Sequence, residues 1–457
     1  MIWGVSFGSH NSAISVFENN ELVFATDGER FSKTKNDKNL CNELLDFCGV
    51  PEKVFYYENP FLKSERRKFA GQTPELILPD FKYPLTYSNH HRSHASYGYY
   101  TSPYDDAIVL VLDAIGEWDT MSIWHVKDKN FKRMSSWKYP KSLGLMYSAL
   151  TQAAGWKPNE EEYIMMGASS MPIEEDVELT EFIEDKIKNN FNWHTGVEIP
   201  FDKNKIAFSA QRIYEKEFAK LTDEILTYSE YVGNLIFVGG CALNVKANAM
   251  LTKFDNVYIP SNPGDGGSAI GCVLTYLNKK INPSPYLGFE IPGKYPVDEI
   301  VSHLKENEVV GVMSGKAEFG PRALGNRSLF ADPRVKNIKD KLNNIKGREL
   351  FRPFAPMILK ENVDEYFYGG INSPYMNSIW YAKDNTKEKW PEVIHVDGTS
   401  RLQIVEDETH KHLLREWENE TKCPMIINTS LNVKGQPIAN DEIDRRRCKN
   451  LMRIEIL

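Results

Sequence analysis

Two short apolar runs, Ile2 to Phe7 and Ala13 to Phe17, flank a five-residue loop, Gly8-Ser9-His10-Asn11-Ser12, and Glu21 to Ala25 offers a third strand. Runs this short, closed by small turn residues, predict a β-hairpin whose loop is the size of a phosphate group. The arrangement recurs at Ala107 to Asp113, where AIVLVLD ends a buried strand on an acid before AIGEWDT and the strand-like Met121 to Val126. Strand-end acids occur in any α/β sheet, so the pattern alone leaves function open. At the level of residue identities there is no internal repeat and no low-complexity tract.

With 457 residues the chain has room for about two to three domains, and 41% apolar with 12% aromatic residues suffices for packed cores. Its 55 basic and 63 acidic residues give a net charge of -8, which argues against nonspecific binding to polymeric nucleic acid or to an acidic membrane. Cys41, Cys48, Cys241, Cys272, Cys423 and Cys448 have no CxxC spacing, so reduced thiols are expected, without disulfide or zinc knuckle. MIWGVSFGSH lacks a basic n-region and a long apolar stretch, and no apolar run approaches the ~20 residues of a membrane span. A cytoplasmic protein is the expectation.

Chemistry concentrates in a few stretches. In SNHHRSHASYGYY, an Asn89 cap would start a helix that puts His90 and His94 at i and i+4 on one face, with His91 pointing elsewhere. Such a pair can share a metal or be two core histidines. LIFVGGCALNVKANA places Gly239 and Gly240 after a buried strand and Asn244 near a helix start. In IPSNPGDGGSAIG the residues around Asp265, including Gly266, predict a turn with free N–H groups before a helix starting near Ser268. Scaffold helices are expected within Ser142 to Ser170, over Val177 to Asn190 and over Ala207 to Tyr228. The Pro- and Gly-rich stretch from Asn278 to Lys294 is the expected domain boundary.

Beyond it, the strand-like Val309 to Met313 feeds GKAEFGPRALGNRSLFADPR, which carries Arg322, Arg327 and Arg334 among Gly320, Pro321 and Gly325. IKGRELFRPFAP adds Lys346, Arg348 and Arg352 beside aromatic residues and prolines. Fixed-fork guanidinium groups on permissive backbone suit a planar or phosphorylated anion, although any one of them could be an ordinary surface charge.

These motifs, with HVDGTSRLQIV and INTSLNVKGQPI, resemble over nearly the full length the O-carbamoyltransferases of antibiotic and nodulation-factor biosynthesis. The resemblance implies an α/β protein with an actin-like ATPase domain, a duplicated ribonuclease H-like fold, over residues 1–285. A YrdC-like domain, similar to threonylcarbamoyl-AMP synthases, would cover 286–457. It implies a metal, iron foremost, on His90, His94 and Asp265, with Asp113 reaching metal or water. His10, Gly239, Gly240, Asn244 and Gly266 would line the nucleotide, ATP with Mg2+. Arg322, Lys346, Arg352, Arg401 and Ser430 would hold carbamoyl phosphate and its adenylate. His90, His94, Asp113, Arg322 and Lys346 would be catalytic.

The implied reaction forms carbamoyl-AMP from carbamoyl phosphate and ATP. It then carbamoylates the hydroxyl of a small acceptor: a nucleotide such as a hydroxymethylpyrimidine nucleotide, a sugar or an antibiotic. A homodimer is compatible with this. Ala114 stands where a Gly usually follows the strand-end acid, Asn11 replaces a frequent Asp, and EEYIMMG lacks an expected Lys. The chain is short for the family, so an acceptor-specific insertion is expected to be missing. Two alternatives stay open: a threonylcarbamoyl-type transferase acting on tRNA, and a non-catalytic actin-like nucleotide-binding protein.

Overall fold

A computed structural model of the protein describes residues 1–74, 76 and 81–457, and the chain divides into two compact units. The first comprises residues 1–32 and 36–284; the second comprises 33–35 and 285–457.

The first unit contains two five-stranded sheets. One is built from β1 (Ile2–Ser6), β2 (Ala13–Glu18), β3 (Glu21–Asp27), β4 (Lys53–Tyr56) and β5 (Leu85–Tyr87), in the order β3-β2-β1-β4-β5. The other uses β6 (Asp106–Leu112), β7 (Asp119–Lys127), β8 (Asn130–Lys138), β9 (Asn234–Val238) and β10 (Asn256–Tyr258), in the order β10-β9-β6-β7-β8. Read from the other edge the second order matches the first: three antiparallel strands, then two parallel ones. This is the duplicated actin-like arrangement. The repeat invisible in residue identities is therefore present in topology, because strand order is set by burial pattern and turn placement rather than by particular side chains.

The hairpins at β1/β2 and β6/β7 lie where the alternation of apolar runs and turns places them. The helix expected near Ser268 begins at Asp265, with Gly264 as its cap residue, so that an acid occupies its first turn, where the helix dipole favours it. The helix expected over Ala207 to Tyr228 spans Lys203–Leu226, opened by an Asp202 cap. Val177–Lys188 is helical as its periodicity implies.

Two helices connect the sheets. Asp265–Leu277 packs on β1, β2 and β4, His90–Thr101 packs on β6, β7 and β9, and the two helices pack on each other. Their approach depends on missing side chains. A Cβ on Gly271 would lie 1.9 Å from Ser93 O, and one on Gly267 would lie 2.1 Å from Asn262 O and 2.3 Å from the Tyr97 ring.

In the second unit β11 (Tyr286–Ile291) lies inside the stretch read as a linker; it pairs antiparallel with β13 (Gly315–Glu318), across a register shift that absorbs its irregular sequence. The main sheet contains β12 (Val309–Met313), β14 (Arg327–Ala331), β15 (Ala355–Leu359), β19 (Gln403–Val405) and β20 (Met425–Ser430), in the order β12-β14-β20-β15-β19. Only β15 and β19 run parallel. A three-stranded sheet of β16 (Phe367–Tyr368), β17 (Ile379–Ala382) and β18 (Thr399–Arg401) completes it. One continuous apolar core, including Leu329, Phe330, Met357, Trp417 and Ile427, underlies the unit. Among the described residues no helix is long and apolar enough to cross a membrane.

Gly271→Ala is expected to cost on the order of 1–3 kcal/mol by forcing the two helices apart, measurable as a lowered midpoint in urea denaturation.

Candidate functional site

Asn89 Oδ1 accepts the backbone N–H of Arg92 at 3.2 Å and caps the helix His90–Thr101. His90 and His94 then stack one turn apart, 2% and 0% exposed, with their Nε2 atoms 3.1 Å apart. Asp113, just beyond β6, places Oδ2 2.9 Å from His90 Nε2, and Asp265, first in its helix, places Oδ1 3.2 Å from His94 Nε2 and 3.5 Å from His90 Nε2. The ligand atoms of His90, His94, Asp113 and Asp265 all lie within 4.8 Å of one another.

A single imidazole N–H cannot satisfy all the acceptors gathered here. His90 Nε2 alone faces a carboxylate oxygen, a second imidazole nitrogen and a second carboxylate. Two imidazoles and two carboxylates converging on one space are the donor set of a divalent transition metal, so these residues fit one. Asp113 joins the three ligands that the family resemblance implies.

Electrostatics bind the cluster together. Burial works against the His90 imidazolium, but Asp265, Asp113 and Glu58 outweigh it and raise its pKa well above the ordinary value. Burial likewise opposes ionisation of the two acids; His90 and His94 overcome it, leaving Asp113 far below the carboxylate range and Asp265 at about 2. Glu58, buried after β4, has Oε2 3.6 Å from His90 Nδ1 and Oε1 2.7 Å from Lys63 Nζ. Glu117 Oε1 accepts the N–H groups of Asn59 (2.8 Å) and His90 (2.9 Å). His91 turns away, its Nδ1 2.8 Å from Ser122 Oγ.

The expected nucleotide residues fall into two groups. Gly240 N–H donates to Asp113 Oδ1 at 3.0 Å, so the GG turn orients a cluster carboxylate directly. Gly239 has φ 99°, and a Cβ there would meet Leu112 O at 2.2 Å. His10 in the hairpin loop lies 3.6 Å from Asp265 Oδ2. Gly266 abuts Asn262, whose Nδ2 donates to Asp27 Oδ1 at 3.1 Å. Asn244 has a structural part. Its Oδ1 accepts from Gln211 Nε2 and from Ala247 N–H, and its Nδ2 donates to Gln211 Oε1, all at 3.1 Å.

In the second unit the arginines separate by role. Arg327 is fully buried and donates to five backbone carbonyls, those of Asn440, Ser314, Asn326, Phe289 and Gly315. Arg334 is forked onto Asp332. Both hold structure rather than a ligand. Lys346 also departs from expectation. Its Nζ donates to Ser430 O, to Asn432 O (2.7 Å) and to Asn432 Oδ1 (3.2 Å), while burial, Arg348 and Arg352 press its pKa well down. It anchors the end of β20 and has no donor left for a substrate.

Arg322, Arg348, Arg352 and Arg401 remain. Burial first, then Arg322, Arg352 and Arg348, push the Arg401 pKa well below its ordinary value. Arg348 Nη2 reaches Ser430 Oγ at 3.4 Å, and Ser430 Oγ donates to Asn432 Oδ1 at 2.6 Å. The loop carrying Arg322 is fixed by Glu318. Its Oε1 accepts the N–H groups of Leu324 (2.7 Å), Asn326 (2.9 Å) and Arg327 (3.2 Å). Gln403 Nε2 and Tyr295 Oη hold the carbonyls of Leu324 and Gly325 from other sides. With Arg322 on a clamped loop and Arg348 and Arg352 near enough to act on Arg401, these guanidinium groups can bind an oxyanion with little reorganisation.

The family model described as Carbamoyltransferase N-terminus matches residues 52–274, and Carbamoyltransferase C-terminus matches 301–457. The chain belongs to the carbamoyltransferase family. It is a transferase. A Synechocystis sp. protein is 30% identical across 100% of this chain and 94% of its own length, and a Methanocaldococcus jannaschii protein is 31% identical across 97% and 95%. Nodulation protein U of Bradyrhizobium diazoefficiens is 38% identical over 50% of this chain and 43% of its own. Among solved structures, T. kodakarensis HypF aligns with 61% of this carbamoyltransferase and 48% of its own chain, at 13% identity and a TM-score of 0.39.

Sequence reasoning about this family member did not single out Glu58, Glu117 or Glu318, and it left Arg348 out of the site. Glu58 carried a usable signal, since it follows a strand as Asp113 does. Glu318→Ala is expected to leave three backbone donors unsatisfied and to destabilise the fold by about 1–3 kcal/mol or more. Amide exchange should quicken across residues 319–327 before it quickens in β15 and β20.

Proposed function

We propose that the chain is an ATP-dependent O-carbamoyltransferase that makes carbamoyl-AMP in its second unit and transfers the carbamoyl group at the His90 cluster. The observation that carries this reading is that Arg322, Arg348 and Arg352 all act on the charge of the half-buried Arg401 in a chain of this family. Like charges held so close are stabilised by a polyanion, and carbamoyl phosphate is a dianion.

The balanced activation is cleavage of carbamoyl phosphate by water to carbamate and orthophosphate, followed by attack of a carbamate oxygen on the α-phosphorus of ATP with pyrophosphate leaving. The four guanidinium groups hold the phosphate, aim the carbamate and spread the charge that builds on the oxygens. Lys346 and Ser430 position that cage through the end of β20 rather than touching substrate. Carbamoyl-AMP is a reactive mixed anhydride, and a site that excludes water preserves it for the acceptor.

In the first unit, His90, His94 and Asp265, with Asp113 beside them, would hold a divalent cation such as iron, which when bound supplies Lewis acidity at the acceptor site. Gly240 and His90 fix the direction of the Asp113 carboxylate, and Glu58 and Glu117 fix His90. His10, Gly239 and Gly240 line the side on which nucleotide phosphates, with Mg2+, would enter. The acceptor is a small hydroxyl compound: a hydroxymethylpyrimidine nucleotide, a sugar or an antibiotic.

Arg322→Ala, Arg352→Ala and Arg401→Ala should each weaken carbamoyl-AMP formation by at least about tenfold, from the roughly 1.5–3 kcal/mol of a charge-assisted hydrogen bond. Mass spectrometry of the adenylate measures this, and unchanged yield in all three folded variants would remove the cage from the site.

His90→Ala and His94→Ala should abolish carbamoyl transfer yet retain pyrophosphate release from ATP and carbamoyl phosphate. Elemental analysis should find one metal equivalent in the native protein and none in His94→Ala. Equal loss of both half-reactions, or full transfer after chelation, would refute the division of labour.

A further inference from the structure

Lys63, Arg66 and Arg67 recur at i, i+3 and i+4 along the helix Pro60–Phe69 and share one of its faces. Two of them lead to residues that hold His90. Lys63 Nζ pairs with Glu58 Oε1 at 2.7 Å, and Arg66 Nε donates at 3.2 Å to the backbone carbonyl of Glu117, whose carboxylate accepts the His90 N–H.

Lys63 is thereby matched by an acid, and Arg66 is not. Arg66 is 4% exposed, and its Nη1 meets the neutral partners Gln72 Oε1 at 3.2 Å and His194 Nε2 at 3.4 Å. Its guanidinium stands 6.0 Å from the centre of the Tyr139 ring. Among the described residues no carboxylate comes within 4.0 Å of it. A buried guanidinium without a counter-ion in contact is costly, and Arg67 adds to that cost more than the more distant Glu58 relieves it. Burial and Arg67 press the Arg66 pKa below its ordinary value, and burial with Arg66 and Arg67 holds His194 at about 4. Three separate segments, the helix Pro60–Phe69, the residue just after β8 and the turn Trp193–Thr195, thus meet at the Arg66 guanidinium, one residue away from His90.

We infer that Arg66 anchors an anion subsite beside the His90 cluster, and that it takes a phosphate carried by the hydroxyl acceptor. The identity of the acceptor as the carrier rests on the reading that transfer occurs at that cluster; the phosphate chemistry does not. The planar fork is held from one side by Glu117 O and from another by Gln72 and His194, and its fixed set of donors suits a tetrahedral oxyanion. A phosphate there would anchor the acceptor's far end, while its hydroxyl reaches the metal-ligand residues.

The test starts with orthophosphate and the full chain. Hydrogen exchange read by mass spectrometry should slow in residues 60–69 and 193–195 of the unaltered protein when orthophosphate is added, and Arg66→Gln should abolish that slowing while leaving any protection around Arg401. No slowing in the unaltered protein, or undiminished slowing in Arg66→Gln, would overturn the subsite; the first arm stands even if the variant does not fold.

The source of the phosphate is then read from a hydroxymethylated pyrimidine nucleoside and its 5′-monophosphate as acceptors. The monophosphate should have a KM lower by about tenfold, and Arg66→Gln should erase that difference. A rise in KM for ATP, with the acceptor ratio intact, would keep the subsite and overturn the acceptor as its source. If orthophosphate protection holds but neither compound is carbamoylated, the subsite stands and the hydroxymethylpyrimidine nucleotide is overturned as the acceptor that fills it.

Discussion

The close packing of two helices supports the rest of the first unit. Ser93 O can approach the helix Asp265–Leu277 only because Gly271 has no side chain, and that approach puts His94 within 3.2 Å of Asp265. The same serine ties in further elements, since its Oγ donates to Tyr57 O at 2.7 Å, the residue before Glu58. Glycine-mediated contacts at Gly271 and Gly267 therefore set the distance between the imidazoles and their acids. Interiors this dense transmit a small displacement instead of absorbing it, so a site assembled from four segments needs such a contact.

The two units handle charge in opposite ways. Around His90, the buried carboxylates and the His90 imidazole each stabilise the charged form of the other. Around Arg401, burial and then the neighbouring cations Arg322, Arg352 and Arg348 depress its pKa. The first arrangement is compensated internally, whereas the gathered cations of the second are costly to desolvate, and the proposed oxyanion would offset that cost. Their rigidity comes from groups that never need to touch a ligand. Glu318 holds the Arg322 loop by three N–H groups, Lys346 holds the end of β20 by three oxygens, and Gly240 holds Asp113.

Much of this was legible in the order of residues. The hairpins at Ile2 to Phe17 and Ala107 to Val126, the Asn89 cap and the i, i+4 histidines depend on local spacing, which a sequence displays directly. Arg327, Arg334, Lys346 and Asn244 show where local reading stops. Each is a polar residue in a loop-rich motif, and nothing nearby in the chain distinguishes one that binds a ligand from one that satisfies distant carbonyls. Arg327 finds carbonyls as far off as Asn440, and Asn244 finds Gln211.

The sequence by itself determined the secondary elements that present the chemistry, the acid at the end of β6, the paired histidines on one helical face and the wealth of arginine after Val309. Those follow from periodicity, capping and residue type, which act over a few positions. The tertiary structure alone decided which charges meet. Asp113 and Asp265 are 152 positions apart in sequence and share one imidazole pair, while Arg322 and Arg401 come from separate strands and loops. Coulomb energies depend on distance through space and on burial, and neither is written in the spacing of residues along the chain.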